Sequence, residues 1–455
     1  MFDLSATFLC DYSHTLILMV IILYFLFDAY STNDLIGSPS KMWDLLQTAA
    51  VQRPVEGNQG GSYLTMKSNY ALIFGVIQLC SGSGTVFLDQ AYWQRAIASR
   101  PKTAVKAYIM GGLAWFAIPF GFATTLGLSA VALTDNPAFP TYPNAPTSSE
   151  ISSGLAAAYA AQTLLGKGGA VALLIVLFMA VTSCASAELI AVSSLLTFDV
   201  YQRYIKPTAS GSQLIFISHC MICVFGMIMA IFACIWNAIG IDLGWLFLVM
   251  GLLIGGAVFP VAFAITWSGQ SRAGAISGAV AGLAAGLTAW LVEAKVHFGE
   301  ISIASTGAEY STLAGNLAAI MTGLIVTTVV SLIKPQNFDW SITRAINAQN
   351  IAPGGVAAVE ALQDPSDMNG LQTPPEADSE KEKEKEKEAP TPPNEKSELP
   401  TVIDEDKERA ADQEVEDHPS SLRGAFKLAC IASFLLTFVM DFLVCPSQIM
   451  IETHS

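Results

Sequence analysis

Charge is what most of this chain lacks. Of its 455 residues only 13% are charged, while 52% are hydrophobic. Soluble domains carry about 25% charged residues. The shortage excludes an ordinary soluble globule and points to a chain that crosses a membrane many times. Basic patches are missing as well, which argues against a nucleic-acid partner. The net charge of −15 belongs in part to one stretch near the C-terminus. The eight cysteines form no paired framework. Cys80, Cys184, Cys220, Cys223, Cys234 and Cys430 fall inside apolar runs, and Cys220-x-x-Cys223 reads as helix packing rather than metal or redox chemistry. There is no His-x-x-x-His cluster, Gly-x-Ser-x-Gly elbow or convergent carboxylate pair, so a membrane enzyme is disfavoured. The N-terminus starts on an acidic residue and lacks the basic region of a signal peptide.

What the chain does have is long apolar runs. A window of about 19 residues predicts about nine spans. They lie near 8–31, 69–93, 105–133, 167–196, 212–236, 243–267, 273–294, 312–333 and 424–446. The fold class is therefore an all-α polytopic membrane protein. Basic residues in the short loops set its direction. Arg95, Arg100, Lys102 and Lys106 follow the second span, Arg203 and Lys206 the fourth, Arg272 the sixth and Lys334 the eighth. These loops alternate and are read as cytoplasmic, with the N-terminus. The loop at 134–166 has no Lys or Arg and is read as outside. Lys41, Arg53 and Lys67 in the loop at 32–68 fit less well and are outvoted.

Residues 1–334 thus form a transmembrane core. Residues 335–423 are different material, with an alternating Glu/Lys run from Glu380 to Glu388 flanked by Pro, Asp and Ser. Such a segment cannot bury enough apolar surface to offset its ordering entropy, so it reads as a disordered cytoplasmic linker. A last span at 424–446 and a short extracellular tail at 447–455 follow. Gly274, Gly278, Gly282 and Gly286 recur every four residues. They make a smooth stripe on one helix face, suited to close helix packing.

Three constellations are candidates for chemistry. The first is the run Gln78 to Gln90, with Ser81-Gly82-Ser83-Gly84 at the middle of a span. Glycine and hydroxyl residues weaken a helix there, and a mid-membrane break exposes backbone groups to a bound solute. Asp89 just beyond is an ionisable intramembrane residue; the plainer reading has Asp89 and Gln90 pairing with Arg95 or backbone. The second is Ala180 to Ile190, whose Ser183 and carbonyl oxygens are hard ligands fit for an alkali cation. Ala180, Ser183 and Cys184 share one face. Glu188 is either a proton carrier or an interhelical hydrogen-bond partner. The third is the aromatic stretch Trp115 to Gly121, where Pro119 and Gly121 predict a kink.

At these residues a resemblance emerges. Asp89-Gln90-Ala91-Tyr92-Trp93-Gln94-Arg95 resembles the Asp-Gln-x-x-x-Gln-Arg signature of the sodium:solute symporter family. The longer strings Gly84 to Ser99 and Ala180 to Ser194, closed by Thr197-Phe198-Asp199-Val200-Tyr201, resemble its urea active transporter branch. The likeness covers most of residues 1–335. It implies a five-plus-five inverted-repeat fold, of which this chain holds core helices five to ten plus extra helices. The first span would be core helix five, 69–93 the broken core helix six, 167–196 core helix eight and 243–267 core helix ten. The implied sodium ligands are Ala180 (its carbonyl), Ser183 and Cys184. A thiol is a poor sodium ligand, which leaves sodium and a proton both open as coupling ion. The implied solute site draws on Gln78, Ser81, Ser83, Thr85, Asp89 and Gln90.

The resemblance thus implies ion-coupled symport of urea, with polyamines as a second cargo, across the plasma membrane, with no organic cofactor. It also implies about five further spans ahead of residue 1, so that coupled uptake by this chain alone is expected to be incomplete. A transporter-derived sensor or scaffold, signalling through the acidic linker, is the alternative reading.

Overall fold

The computed structural model describes residues 2–99, 101–340 and 419–434. All regular elements among them are helical. Eight helices are long and apolar enough to cross a membrane, from Leu9–Thr32 to Glu309–Ile333. They match the first eight expected spans. The ninth overlaps a helix at Pro419–Phe434; the remainder of that span, most of the linker and the tail lie outside the described residues. Met1–Asn337 with Lys427–Ser455 form one unit and Phe338–Phe426 a second. In the second, Phe338 and Trp340 pack edge to face at 5.4 Å.

Helix α1 (Phe2–Phe27) ends in a π-helical turn, Asp28–Thr32. Next comes a helix that the apolar pattern missed, α2 (Pro39–Gln52). Ser38 accepts from the Lys41 N–H and Pro39 takes the first turn, a well-formed N-terminus. Its stripe Met42, Leu46, Ala49 and Ala50 is buried. Only one face is apolar, so a span-length hydropathy window passes over it. Met42 and Leu46 of that stripe join a core with Phe25, Leu126, Leu133, Phe139 and Leu164.

Helix α3 (Asn69–Leu88) and the short α4 (Gln90–Ala98) follow, then α5 (Pro101–Ala117) and α6 (Thr124–Leu133). The α5–α6 joint is π-helical over Ile118–Ala123, at the Pro119–Gly121 pair. A short α7 (Ser148–Ser152) precedes α8 (Leu155–Ser194), which continues as a π-helix over Leu195–Ile205. Those 51 residues would reach roughly 75 Å, against about 30 Å of hydrocarbon. Part of the excess is taken up at Gly166, whose φ of 61° and ψ of −149° lie in a region essentially reserved for glycine. The expected start of this span, residue 167, falls immediately after that turn.

Helix α9 (Gly211–Ile239) precedes α10 (Leu243–Ile254) and α11 (Val258–Thr266), which are joined by a 3₁₀ turn at Gly255–Ala257. Asp242 caps α10 by accepting from the Trp245 N–H. Helix α12 (Arg272–Phe298), a short α13 (Ile303–Thr306) and α14 (Glu309–Ile333) complete the core. The glycine stripe of α12 is buried on α14. A Cβ on Gly278 would stand 3.0 Å from the Gly323 carbonyl oxygen, and one on Gly286 would stand 2.8 Å from Ala319 Cβ. Backbones thus meet with nothing between them. Gly256, in the 3₁₀ turn, presses into the same seam beside Gly282 and Gly323.

Candidate functional site

The expected break at Ser81-Gly82-Ser83-Gly84 is not there. Helix α3 runs unbroken through it. Its buried face is Ile73, Ile77, Cys80, Ser81 and Gly84. Ser81 is 0% exposed. A Cβ on Gly251 of α10 would stand 2.8 Å from Ser81 Cβ, and one on Gly84 would stand 2.6 Å from Ile254. Small residues here let α3 and α10 approach closely, and that contact outweighs the low helix propensity of glycine. The hydroxyls turn back on their own helix: Thr85 Oγ1 donates to the Gly82 carbonyl at 2.9 Å, and Ser81 Oγ donates to the Gln78 carbonyl at 3.4 Å. Gln78 is exposed, while Ser83, Thr85, Asp89 and Gln90 are half-buried.

The break lies at Asp89 instead. Its φ of −78° and ψ of 112° are extended, so α3 stops and α4 restarts one residue later. Asp89 accepts from the Ala91 N–H at 2.7 Å, an N-cap in mid-chain. The indole N–H of Trp93 donates to the Phe87 carbonyl at 2.9 Å, which covers an oxygen freed by the break.

Arg95 does not pair with Asp89. Its guanidinium meets Asp11 Oδ2 of α1 at 2.8 Å. The other Asp11 oxygen accepts from Ser183 Oγ of α8. Glu188, one turn on, faces Asp89 with Arg95 nearby. Cys184 lies within electrostatic reach of Asp11, Asp89, Arg95 and Glu188. Ala180 and Cys184 are exposed. One polar centre therefore joins α1, α4 and α8. It holds the carboxyls of Asp11, Asp89 and Glu188 against the guanidinium of Arg95. Sequence reasoning missed Asp11, although an aspartate inside the first span was itself a signal.

Away from this centre, a cavity of about 610 Å³ opens between the starts of α3, α10 and α14, lined by Tyr70, Phe74, Phe247 and Glu309 among others. The Phe74 and Phe247 rings stack at 5.8 Å. None of the expected site residues lines it.

The profile of the sodium:solute symporter family matches residues 4–282. The chain belongs to this family. Among relatives, the "Urea active transporter" of Saccharomyces cerevisiae is 43% identical over 74% of this chain and 46% of its own length. The "Probable urea active transporter 1" of Schizosaccharomyces pombe is 44% identical over 74% of this chain and 51% of its own. The "Urea-proton symporter DUR3" of Oryza sativa subsp. japonica is 43% identical over 75% and 48%. The chain thus spans about half the length of the curated relatives it matches. No solved structure matches it. As a symporter-family member with eight span-length apolar helices among its described residues, it is a multi-pass membrane protein.

Proposed function

We propose that this chain contributes the ion-coupled half of a urea transporter, and that its coupling ion is the proton. The observation that carries the reading is the Asp11–Ser183 hydrogen bond. Ser183 sits where a sodium ligand would be expected, yet its hydroxyl is donated to a carboxylate. Its neighbour Cys184 supplies a soft sulfur rather than a hard oxygen. Three carboxyls beside the Arg95 guanidinium, with Asp11 and Glu188 inside apolar spans, call for a bound proton to relieve the excess negative charge. The name of the rice relative, a urea-proton symporter, supports the same ion. Ala180, Ser183 and Cys184 remain the candidate ion-side positions, with Asp11 now beside them.

Urea is small, planar and neutral, so its site needs amides and hydroxyls without an obligatory ion pair. Gln78 and Thr85 are seven residues apart on one flank of α3, bordering its buried side, and Asp89 stands at the break just past the helix. They form the proposed solute side, with Gln90 at the start of α4, and Ser83 is a candidate from the opposite flank of α3. Ser81 serves the α3–α10 contact. A polyamine cargo would use the carboxylate of Asp89. The membrane is the plasma membrane, with the N-terminus and the 335–423 linker on the cytoplasmic side, as the loop charges indicate.

The test is labelled-urea uptake in a host without its own, with the chain expressed together with the part of the Saccharomyces cerevisiae relative that it does not cover. Uptake should follow the proton gradient and ignore sodium. Asp11→Asn should abolish the pH dependence, and Asp89→Asn should spare urea while abolishing polyamine uptake. Uptake driven by sodium, or no uptake at all, overturns the proposal; equal loss of both cargoes in Asp89→Asn removes the polyamine assignment.

A further inference from the structure

Helix α4 is a short element with unusual attachments. Of its apolar side chains, Ala91 is buried while Tyr92 and Ile97 are exposed. Packing alone holds it poorly. Polar contacts run from it to four other helices. Trp93 reaches back to Phe87 of α3 at 2.9 Å. Arg95 reaches Asp11 of α1 at 2.8 Å. The Tyr92 carbonyl accepts from Tyr108 of α5 at 3.2 Å. Gln94 Nε2 donates to Ser194 Oγ of α8 at 2.5 Å.

The last contact falls at a special place. Ser194 is the final residue of the α-helical part of α8, and the π-helical segment begins at Leu195. Ser194 gives its own proton to the Ala191 carbonyl at 2.9 Å, which leaves a lone pair to accept from Gln94. Junctions of this kind are weak points of a helix and commonly accompany function. The extended backbone at Asp89 separates α4 from α3, so α4 can follow a different partner.

We infer that Gln94 is a positioning residue that clips α4 to the α-to-π junction of α8, so that the short helix moves with the helix carrying Ser183 and Glu188. Arg95 holds the neighbouring position of α4 on Asp11, beside Ser183. Two consecutive side chains thereby link the short helix to both sides of the proposed ion centre. A rearrangement at that centre reaches α4 through side chains rather than through the interrupted backbone. The use of this clip in transport rests on the proposed symport; the clip itself does not.

Backbone hydrogen exchange of the full chain in lipid nanodiscs tests it. Gln94→Ala and Ser194→Ala should each raise exchange of residues 90–98 by roughly three- to fifteenfold, the range of a single interhelical hydrogen bond in a membrane. The double variant should exceed neither single, because the two side chains form one contact. Exchange in α12 and α14 should not change. Gln94→Asn, one methylene too short to reach Ser194, carries the same expectation should Gln94→Ala fail to fold. Unchanged exchange in α4, effects that multiply in the double variant, or an equal rise in α12 and α14 each overturn the clip. Because exchange needs no transport, loss of urea uptake with this pattern intact would count against the symport reading alone.

Discussion

Asn316 and Gly251 show how much a single position can decide inside a membrane. Asn316 of α14 is 0% exposed. Its amide donates to the Leu248 carbonyl of α10 at 3.0 Å and to its own Thr312 carbonyl at 2.8 Å. Its side-chain oxygen is buried without a hydrogen-bond partner and stands where a Cβ on Gly251 would fall. A methyl on Gly251 would meet that oxygen and also Ser81 Cα at 2.9 Å. Gly251→Ala is therefore expected to destabilise the chain by about 1–3 kcal/mol, read as a lower melting temperature in detergent. The same triad explains why the serine–glycine run misled sequence reasoning. Ser81 and Gly84 looked like weak points of an isolated helix. Their small size answers instead to neighbours 170 to 235 positions away, which no local pattern reveals. Asp89 was legible as an intramembrane acid, and its backbone partner lay within the plainer reading. The Arg95–Asp11 pair was not legible, because it joins residues 84 positions apart.

At the level of elements, hydropathy recovered all eight described spans, since the need for about 20 apolar residues is a property of each helix alone. The glycine stripe of α12 was legible for the same reason: its period declares a packing face. That face can be tested against its opposite. Gly278→Leu would drive a side chain into Thr327 and the Gly323 carbonyl, so it should part α12 from α14 and cause aggregation on detergent extraction. Val280→Leu, on the exposed side of the same helix, should remain monodisperse in size-exclusion chromatography. Helix α2 and the helical stretch 155–165 at the start of α8 escaped prediction because neither has a span-length apolar signature. Both matter to the fold, since they pack the end of the molecule where α1, α6 and the start of α8 meet.

Across the whole molecule, that end is also pinned by charge. Arg53, just after α2, holds Asp135, just after α6, in a two-point ion pair at 2.7 and 3.0 Å. The guanidinium keeps the Asp135 carboxyl below its ordinary range. The sign follows: the ionised pair stabilises the fold above the usual aspartate value of about 3.9, and that contribution disappears as pH falls through the lowered value. The side chains are 29% and 54% exposed, so the effect should be under about 1 kcal/mol. The melting temperature of wild type minus that of Asp135→Asn should shrink on acidification below about pH 4. Elsewhere the core depends on contacts of another kind, and the α12–α14 seam has a consequence for how the chain assembles. Lipid offers helices no hydrophobic reason to associate, so the earliest stable pair is the one whose surfaces fit and whose connection is short. Helices α12 and α14 are joined by ten residues' worth of chain, Gly299–Ala308, and fit along their whole stripe. They can close into a hairpin as soon as both have left the ribosome. The kinked α10–α11 span, made earlier, must then wait in the bilayer for a groove synthesised after it.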